Sequence, residues 1–281
     1  MSPKFFFLDG KYMSIVNINS WADFAQFTVI SGDLDPMYDL MSKLPLEQRE
    51  LFALHFFMFY DAGEAAKAMY GTDQNSFWEY VDDTYATTRR GTERRHFRGD
   101  KGLEAIKNMR RHGTPSTFWS KMYGISLREI AQNVTYRFRG NQIGPYFIWK
   151  AMDIFDRCLG MPVKLSMEEV LKFMPDEPRK CAEVCWPGVK LEQVVDTVVG
   201  GIKHLPAPGV SGRNCHYSEA ETVLCMIKGY FLTGSHTLGD DVDEKHRQLA
   251  KFPDLCTLLP PKQDWKQYVK SNTVVTPFIS A

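Results

Sequence analysis

The sequence contains no apolar run of the ~18 residues that would cross a bilayer as a helix. Its first apolar stretch, Phe5-Phe-Phe-Leu8, is too short for a secretory leader, so a cytosolic protein is expected. Six cysteines are present: Cys158, Cys181, Cys185, Cys215, Cys225 and Cys256. None forms a CxxC pair, and the spacing fits neither a zinc finger nor a four-cysteine iron–sulfur loop. In a reducing compartment such scattered thiols read as small buried hydrophobes. There is no internal repeat, no low-complexity tract and no linker that forces a domain cut. Strand-like alternation is scarce. It is confined to residues 5–30, which read equally as a short hairpin or an N-terminal helix.

Net charge is absent too, with 34 Lys+Arg against 34 Asp+Glu, but the balance is uneven. From Arg89 to Lys150 there are fourteen basic and four acidic residues, a local +10 that leaves −10 for the remainder. A polyanion such as DNA would be held by that basic third. Hydrophobic residues at 44% and aromatics at 13% supply a sizeable core and exclude disorder.

Most of the chain carries a helical period. Asp35-Pro36 fits an N-cap followed by proline at the first helical position. Leu51, Leu54, His55, Met58 and Phe59 form one buried face, and Gly71 closes the next helix. Further helices are expected near 103–109, 116–123, 127–134 and 146–159. Ser166-Met-Glu-Glu169 is a capping-box start. The helix over 191–199 should end at Gly200-Gly201, and Ser218 should cap the helix from Glu219 to Tyr230. Eight to ten short helices describe a mainly α protein. The expected organisation is an N-terminal extension over 1–32 and one helical domain over 33–281.

Five features carry candidate chemistry. Between the helices at 127–134 and 146–155 lie Arg137, Arg139, Gly140, Asn141, Gln142, Ile143 and Gly144. A glycine-rich hairpin opening into a helix leaves backbone N–H groups that bind a phosphate, and Arg137 and Arg139 add charge-assisted bonds. An ordinary αα turn would read the same. Just downstream, Lys150 and Asp153 either reach a substrate or pair with each other. Arg94, Arg95 and Arg98 suit phosphate oxygens of a backbone or a diphosphate, or belong to a solvated basic loop. On the acidic helix, Glu221, Cys225 and Lys228 line one stripe and Glu219 another. A buried carboxylate there could take a proton near neutral pH, or could hold the helix down in a network with Lys228. Beyond it, Asp240, Asp241, Asp243 and Glu244 near His236 and His246 lack a fixed metal-ligand spacing, and capping and helix-dipole roles are favoured.

Four stretches together resemble the phage amino acid:DNA transferase family, also known as alpha-glutamyl/putrescinyl thymine pyrophosphorylases. They are Asp35-Pro-Met-Tyr38, Glu93-Arg-Arg-His-Phe-Arg-Gly99, Gly144-Pro-Tyr-Phe-Ile-Trp-Lys-Ala-Met-Asp153, and Ser218-Glu-Ala-Glu-Thr-Val-Leu-Cys-Met-Ile-Lys228 with Gly239-Asp240 after it. The last is the most specific. The resemblance implies a helix-hairpin-helix, DNA-glycosylase-like helical domain. It implies a protein in the cytoplasm of a phage-infected host that displaces pyrophosphate from 5-(pyrophosphoryloxymethyl)uracil in DNA. The displacing group is an amino acid or a polyamine, glycine among them, and the product is an N-substituted thymine. The partners implied are that DNA, the free amine and an upstream 5-hydroxymethyluracil DNA kinase, with no membrane and no cofactor beyond a divalent metal left open.

In that frame the target nucleotide is flipped out, with Tyr60, Tyr146 and Trp149 available to stack on it. Arg94, Arg95, Arg98 and Arg139 would neutralise the leaving pyrophosphate, and Asn141 or Gln142 would bond the uracil edge. Glu219 or Glu221 would deprotonate the amine, Lys228 would meet an amino-acid carboxylate, and Asp240 joins the catalytic set. Arg137, Gly144, Lys150 and Asp153 are expected at the DNA. Cys225 adding to the ring is a lesser option. Two alternatives stand beside this: a base-excision glycosylase acting through Lys150 and an aspartate, for which no Gly-Pro-Val-Asp loop is visible, and a non-catalytic DNA-binding protein.

Overall fold

The hydrophobic periodicity materialises as a helical body in the computed structural model, which describes side chains over 21–91, 97, 99–138, 144–227, 229–230 and 238–262, and backbone alone over 4–8 and 11–15. The ambiguous N-terminal stretch contains both alternatives. An antiparallel hairpin pairs β1 (Lys4–Leu8) with β2 (Lys11–Ile15), and helix α1 (Trp21–Ser31) follows.

Next come α2 (Pro36–Ser42), α3 (Leu46–Phe59), α4 (Ala62–Gly71), α5 (Phe77–Thr84), α6 (Gly99–Arg110), α7 (Pro115–Met122) and α8 (Leu127–Arg137). The chain continues through α9 (Pro145–Arg157), α10 (Met167–Phe173), α11 (Asp176–Cys185), α12 (Leu191–Ile202), α13 (Tyr217–Ile227), α14 (Asp240–Gln248) and α15 (Pro253–Cys256). The mainly α reading therefore holds.

Two packing groups share one apolar cluster. In the first, α3 packs on α2, α4, α7 and α9, with α8 beside α9. In the second, α13 packs on α1, α11 and α12. Residues from Phe24 in α1 to Leu259 belong to the same hydrophobic cluster, so the cut expected at residue 33 falls between two helices that share a core. Helix α9 is buried nearly all round, from Phe147 to Arg157. A helix without a solvent face must pair any charge it carries.

Local rules explain some boundaries and fail at others. The capping box at α10 is complete: Glu169 N–H donates to Ser166 Oγ (3.3 Å), and Ser166 N–H donates to the Glu169 carboxylate (3.2 Å). Gly200-Gly201 does not end α12, which runs on to Ile202. The reason is tertiary, because a Cβ on Gly201 would sit 3.1 Å from the Trp21 ring. The glycine lets α1 approach α12.

Two expected caps are also corrected. Asp35 occupies the N-cap of α2 in the left-handed region (φ 52°), and its side chain makes no capping bond. The Ser218 hydroxyl donates to Asp153 instead of capping α13. For α14 the capping carboxylate is Asp33, which accepts from the backbone N–H groups of Gly239, Asp241 and Val242 at 2.9–3.1 Å. Asp240, Asp241 and Asp243 lie in the first turn itself, where they suit the helix dipole.

Candidate functional site

The seam between the two packing groups is where α9 meets α13, and both present charge to it. On α9, Lys150, Asp153 and Arg157 are three and four residues apart and so share a face. On α13, Ser218, Glu221, Thr222 and Cys225 form the facing stripe.

The Lys150 ammonium lies 3.1 Å from Asp153 Oδ2 and 3.3 Å from Glu221 Oε2. The other Asp153 oxygen accepts from Ser218 Oγ (2.7 Å). Arg157, with its side chain fully buried, donates to Asp35 Oδ2 (2.6 Å) and lies 3.5 Å from Glu219. Thr222 bridges the two halves: its hydroxyl is 2.8 Å from Asp35 Oδ2 and 3.4 Å from Glu221 Oε2.

The two glutamates have opposite electrostatic fates. For Glu219, burial would raise the carboxyl, but a His216 bond, a two-pronged Arg213 clamp (2.9 and 3.0 Å) and Arg157 hold it far below the ordinary range. It stays ionised, with both oxygens engaged by Arg213. For Glu221, burial dominates. With Asp153 and Asp35 adding repulsion against the Lys150 attraction, its carboxyl is pushed up to about 7. Burial likewise raises Asp153 against Lys150 and Arg157.

Lys150 is pulled down by burial, but Glu221 and Asp153 hold its ammonium well above the ordinary lysine value. Asp35 is raised by burial and lowered more by Arg157 and Lys150, so it is ionised. Four buried carboxylates (Asp153, Asp156, Glu219, Glu221) and the part-buried Asp35 face three cations (Lys150, Arg157, Arg213). Burial, with that surplus of negative charge added to it, is why the Glu221 carboxyl is pushed up to about 7.

This geometry re-sorts the sequence candidates. Glu219 and Glu221 do face different ways, as their spacing implied. Lys150 and Asp153 pair with each other, one of the two alternatives their spacing left open. Trp149 is fully buried and cannot stack on a base, whereas Tyr60 and Tyr146 are partly exposed. Arg137 ends α8, donating to the Asn133 carbonyl (3.3 Å) beside the exposed ring of Tyr136. Gly144 is the N-cap of α9, and a Cβ there would meet nothing within 4 Å, so crowding does not demand glycine.

Asp240 lines an open cleft along α14, while Asp241 also borders the pocket at Asp35. Arg94, Arg95, Arg98, Arg139, Asn141, Gln142 and Lys228 lie outside the described residues. Arg90, from the same basic stretch, is structural. Its guanidinium lies 4.4 Å from the Tyr85 ring centroid and donates to the carbonyls of Tyr85, Thr88 and Phe97. All six cysteines are thiols, and Cys225 is exposed with Sγ 4.0 Å from Glu221. Among the described residues no group of three or more His, Cys, Asp or Glu side chains is placed to hold a metal ion, and no helix is long and apolar enough to cross a membrane.

Asp35, Arg157, Arg213 and Thr222 were missed. The available signal was the charge spacing Lys150, Asp153, Arg157 on an otherwise apolar helix.

Two known proteins align along most of this chain. One is a putrescinyltransferase of Delftia phage PhiW-14, 26% identical over 262 residues, covering 85% of this chain and 81% of the relative. The other is a glycinyltransferase of Pseudomonas phage PaMx11, 24% identical over 250 residues, covering 75% and 84%. This chain resembles the phage amino acid:DNA transferases over most of its length. No family model matches it. The relatives' printed names describe group transfer.

Proposed function

We propose that this protein is a DNA-hypermodification transferase that replaces the pyrophosphate of 5-(pyrophosphoryloxymethyl)uracil in DNA with a primary amine. The observation that carries the reading is Glu221. An incoming amine is an ammonium at neutral pH and has no lone pair to attack with. A base with its midpoint near the working pH is the efficient acceptor of that proton, and Glu221 meets the condition at about 7.

The step balances simply. Glu221 takes a proton from the ammonium, and the nitrogen lone pair forms a C–N bond to the exocyclic methylene. The C–O bond breaks, and its electron pair leaves with pyrophosphate. The arginines of the basic segment, Arg94, Arg95, Arg98 and Arg139, are proposed to receive that anion. A kinase acting on 5-hydroxymethyluracil would supply the substrate. Base excision through a lysine nucleophile fits poorly, because that chemistry needs a neutral amine and Lys150 is held charged.

Incubating pyrophosphorylated DNA with a mixture of amines and analysing the nucleosides by mass spectrometry tests the reading. It expects N-substituted thymine with intact glycosidic bonds, and abasic sites would refute it. A pH profile tests the base. Glu221 must be ionised, so kcat/KM should fall as pH drops below about 7. In Lys150→Met that limb should move to higher pH, since the ammonium 3.3 Å away is what holds the Glu221 carboxyl down. An unmoved limb would assign the titration to another group.

A further inference from the structure

The buried face of α3 carries one polar side chain, His55. It is fully buried, and neither ring nitrogen has a hydrogen-bond partner among the described residues. A neutral imidazole holds one donor and one acceptor, so both are left unsatisfied. Rings surround it instead. Phe59, one turn on, lies 4.7 Å away between centroids, and Phe77 and Tyr80 of α5 close the box at 6.4 and 6.3 Å. The charges that act on the ring are cations, Lys67 of α4 and Arg90 from the chain after α5. The Glu64 carboxylate of α4 is bonded to Lys67 (2.7 Å), and the titratable group of α5 beside His55 is Tyr80.

We propose that His55 is an acid-sensitive joint: a proton on its ring lifts α5 away from α3 and loosens the chain that leads on to Arg89 and Arg90. A protonated imidazole in the box would have two N–H donors, no acceptor and two like charges nearby, so it must reach water. Helix α3 cannot yield, since it packs on α2, α4, α7 and α9. Helix α5 can. It has eight residues, and only Phe77, Trp78 and Val81 are buried. Short elements with few buried contacts open first. Linkage sets the sign. In the closed form burial, and then Lys67 and Arg90, push the ring down to about 3. Opened to water it titrates near its ordinary ~6.5. The open form therefore gains its proton first, and opening becomes easier as pH falls below about 6.5. Between pH 7.5 and pH 5 the opening equilibrium should rise about thirtyfold.

Nothing in this joint depends on the transfer chemistry. Hydrogen exchange of the full chain, read peptide by peptide by mass spectrometry and corrected for the intrinsic effect of pH, tests it. Amides of α5 should open about thirtyfold more at pH 5 than at pH 7.5, while those of α12, in the other packing group, should stay level. His55→Phe should remove the rise in α5, and His55→Leu should do the same if phenylalanine overfills the box. No rise in α5, an equal rise in α12, or an undiminished rise in a folded His55→Phe or His55→Leu protein would overturn the joint.

Discussion

Glu221→Gln should lower transfer onto pyrophosphorylated DNA by about 10²–10⁴-fold, the range expected when a positioned general base is removed. The substitution keeps the shape, and the amide oxygen still accepts from Lys150. What disappears is the site that takes the proton. Stability should not suffer, because the cluster loses one of its surplus negative charges and Glu221 is the carboxyl that burial already disfavours. Affinity for DNA and for the amine should stay close to native, so the loss should fall on kcat.

The acid limb of the pH profile should vanish along with the rate. Glu219→Gln makes the contrast, since it breaks the paired bonds from Arg213 and should act through folding. Native turnover in a folded Glu221→Gln protein would remove this residue from the mechanism.

The helices were legible because burial imposes a period: the face of α3 carrying Leu51, Leu54 and Phe59 and the capping box at Ser166 can be read without coordinates. So could the split between Glu219 and Glu221, which follows from helical geometry alone. Which glutamate is held ionised and which is pushed up could not be read, because the answer lies in partners distant in sequence. Arg213 and Arg157 neutralise one glutamate, while the other shares a single lysine with Asp153.

Asp35 was misread for a related reason. An Asp-Pro pair looks the same whether the side chain turns back onto its helix or reaches across to Arg157, 122 residues away. Trp149 and Gly201 were misjudged because burial on every side of α9, and the approach of Trp21 to α12, are products of tertiary packing.

Arg157→Met should destabilise the fold by ~3–5 kcal/mol, the usual cost of stranding one partner of a buried ion pair. At roughly 2–4 °C per kcal/mol for a chain of this size class, the thermal midpoint should drop by about 6–20 °C. The size of the effect follows from what the guanidinium touches. It donates to Asp35, lies against Glu219, and stands 4.6 Å from the Tyr38 ring centroid. Methionine fills much of the volume and restores none of the charge.

The pH dependence gives the same argument a second readout. Asp35 and Glu219 are held below their ordinary values in the folded protein. Their ionisation therefore stabilises the native state above the unfolded carboxyl range of ~4, and that stability is lost as pH falls through the lower folded values. Removing Arg157 raises the folded values toward the unfolded ones, so the variant should differ most from the native protein at neutral pH and least in acid. A double variant, Asp35→Asn with Arg157→Met, should recover part of the loss, because the stranded carboxylate is gone. If the single variant melted within 2 °C of the native protein at pH 7, a size of shift that corresponds to less than about 1 kcal/mol, the buried network would not be holding α2, α9 and α13 together.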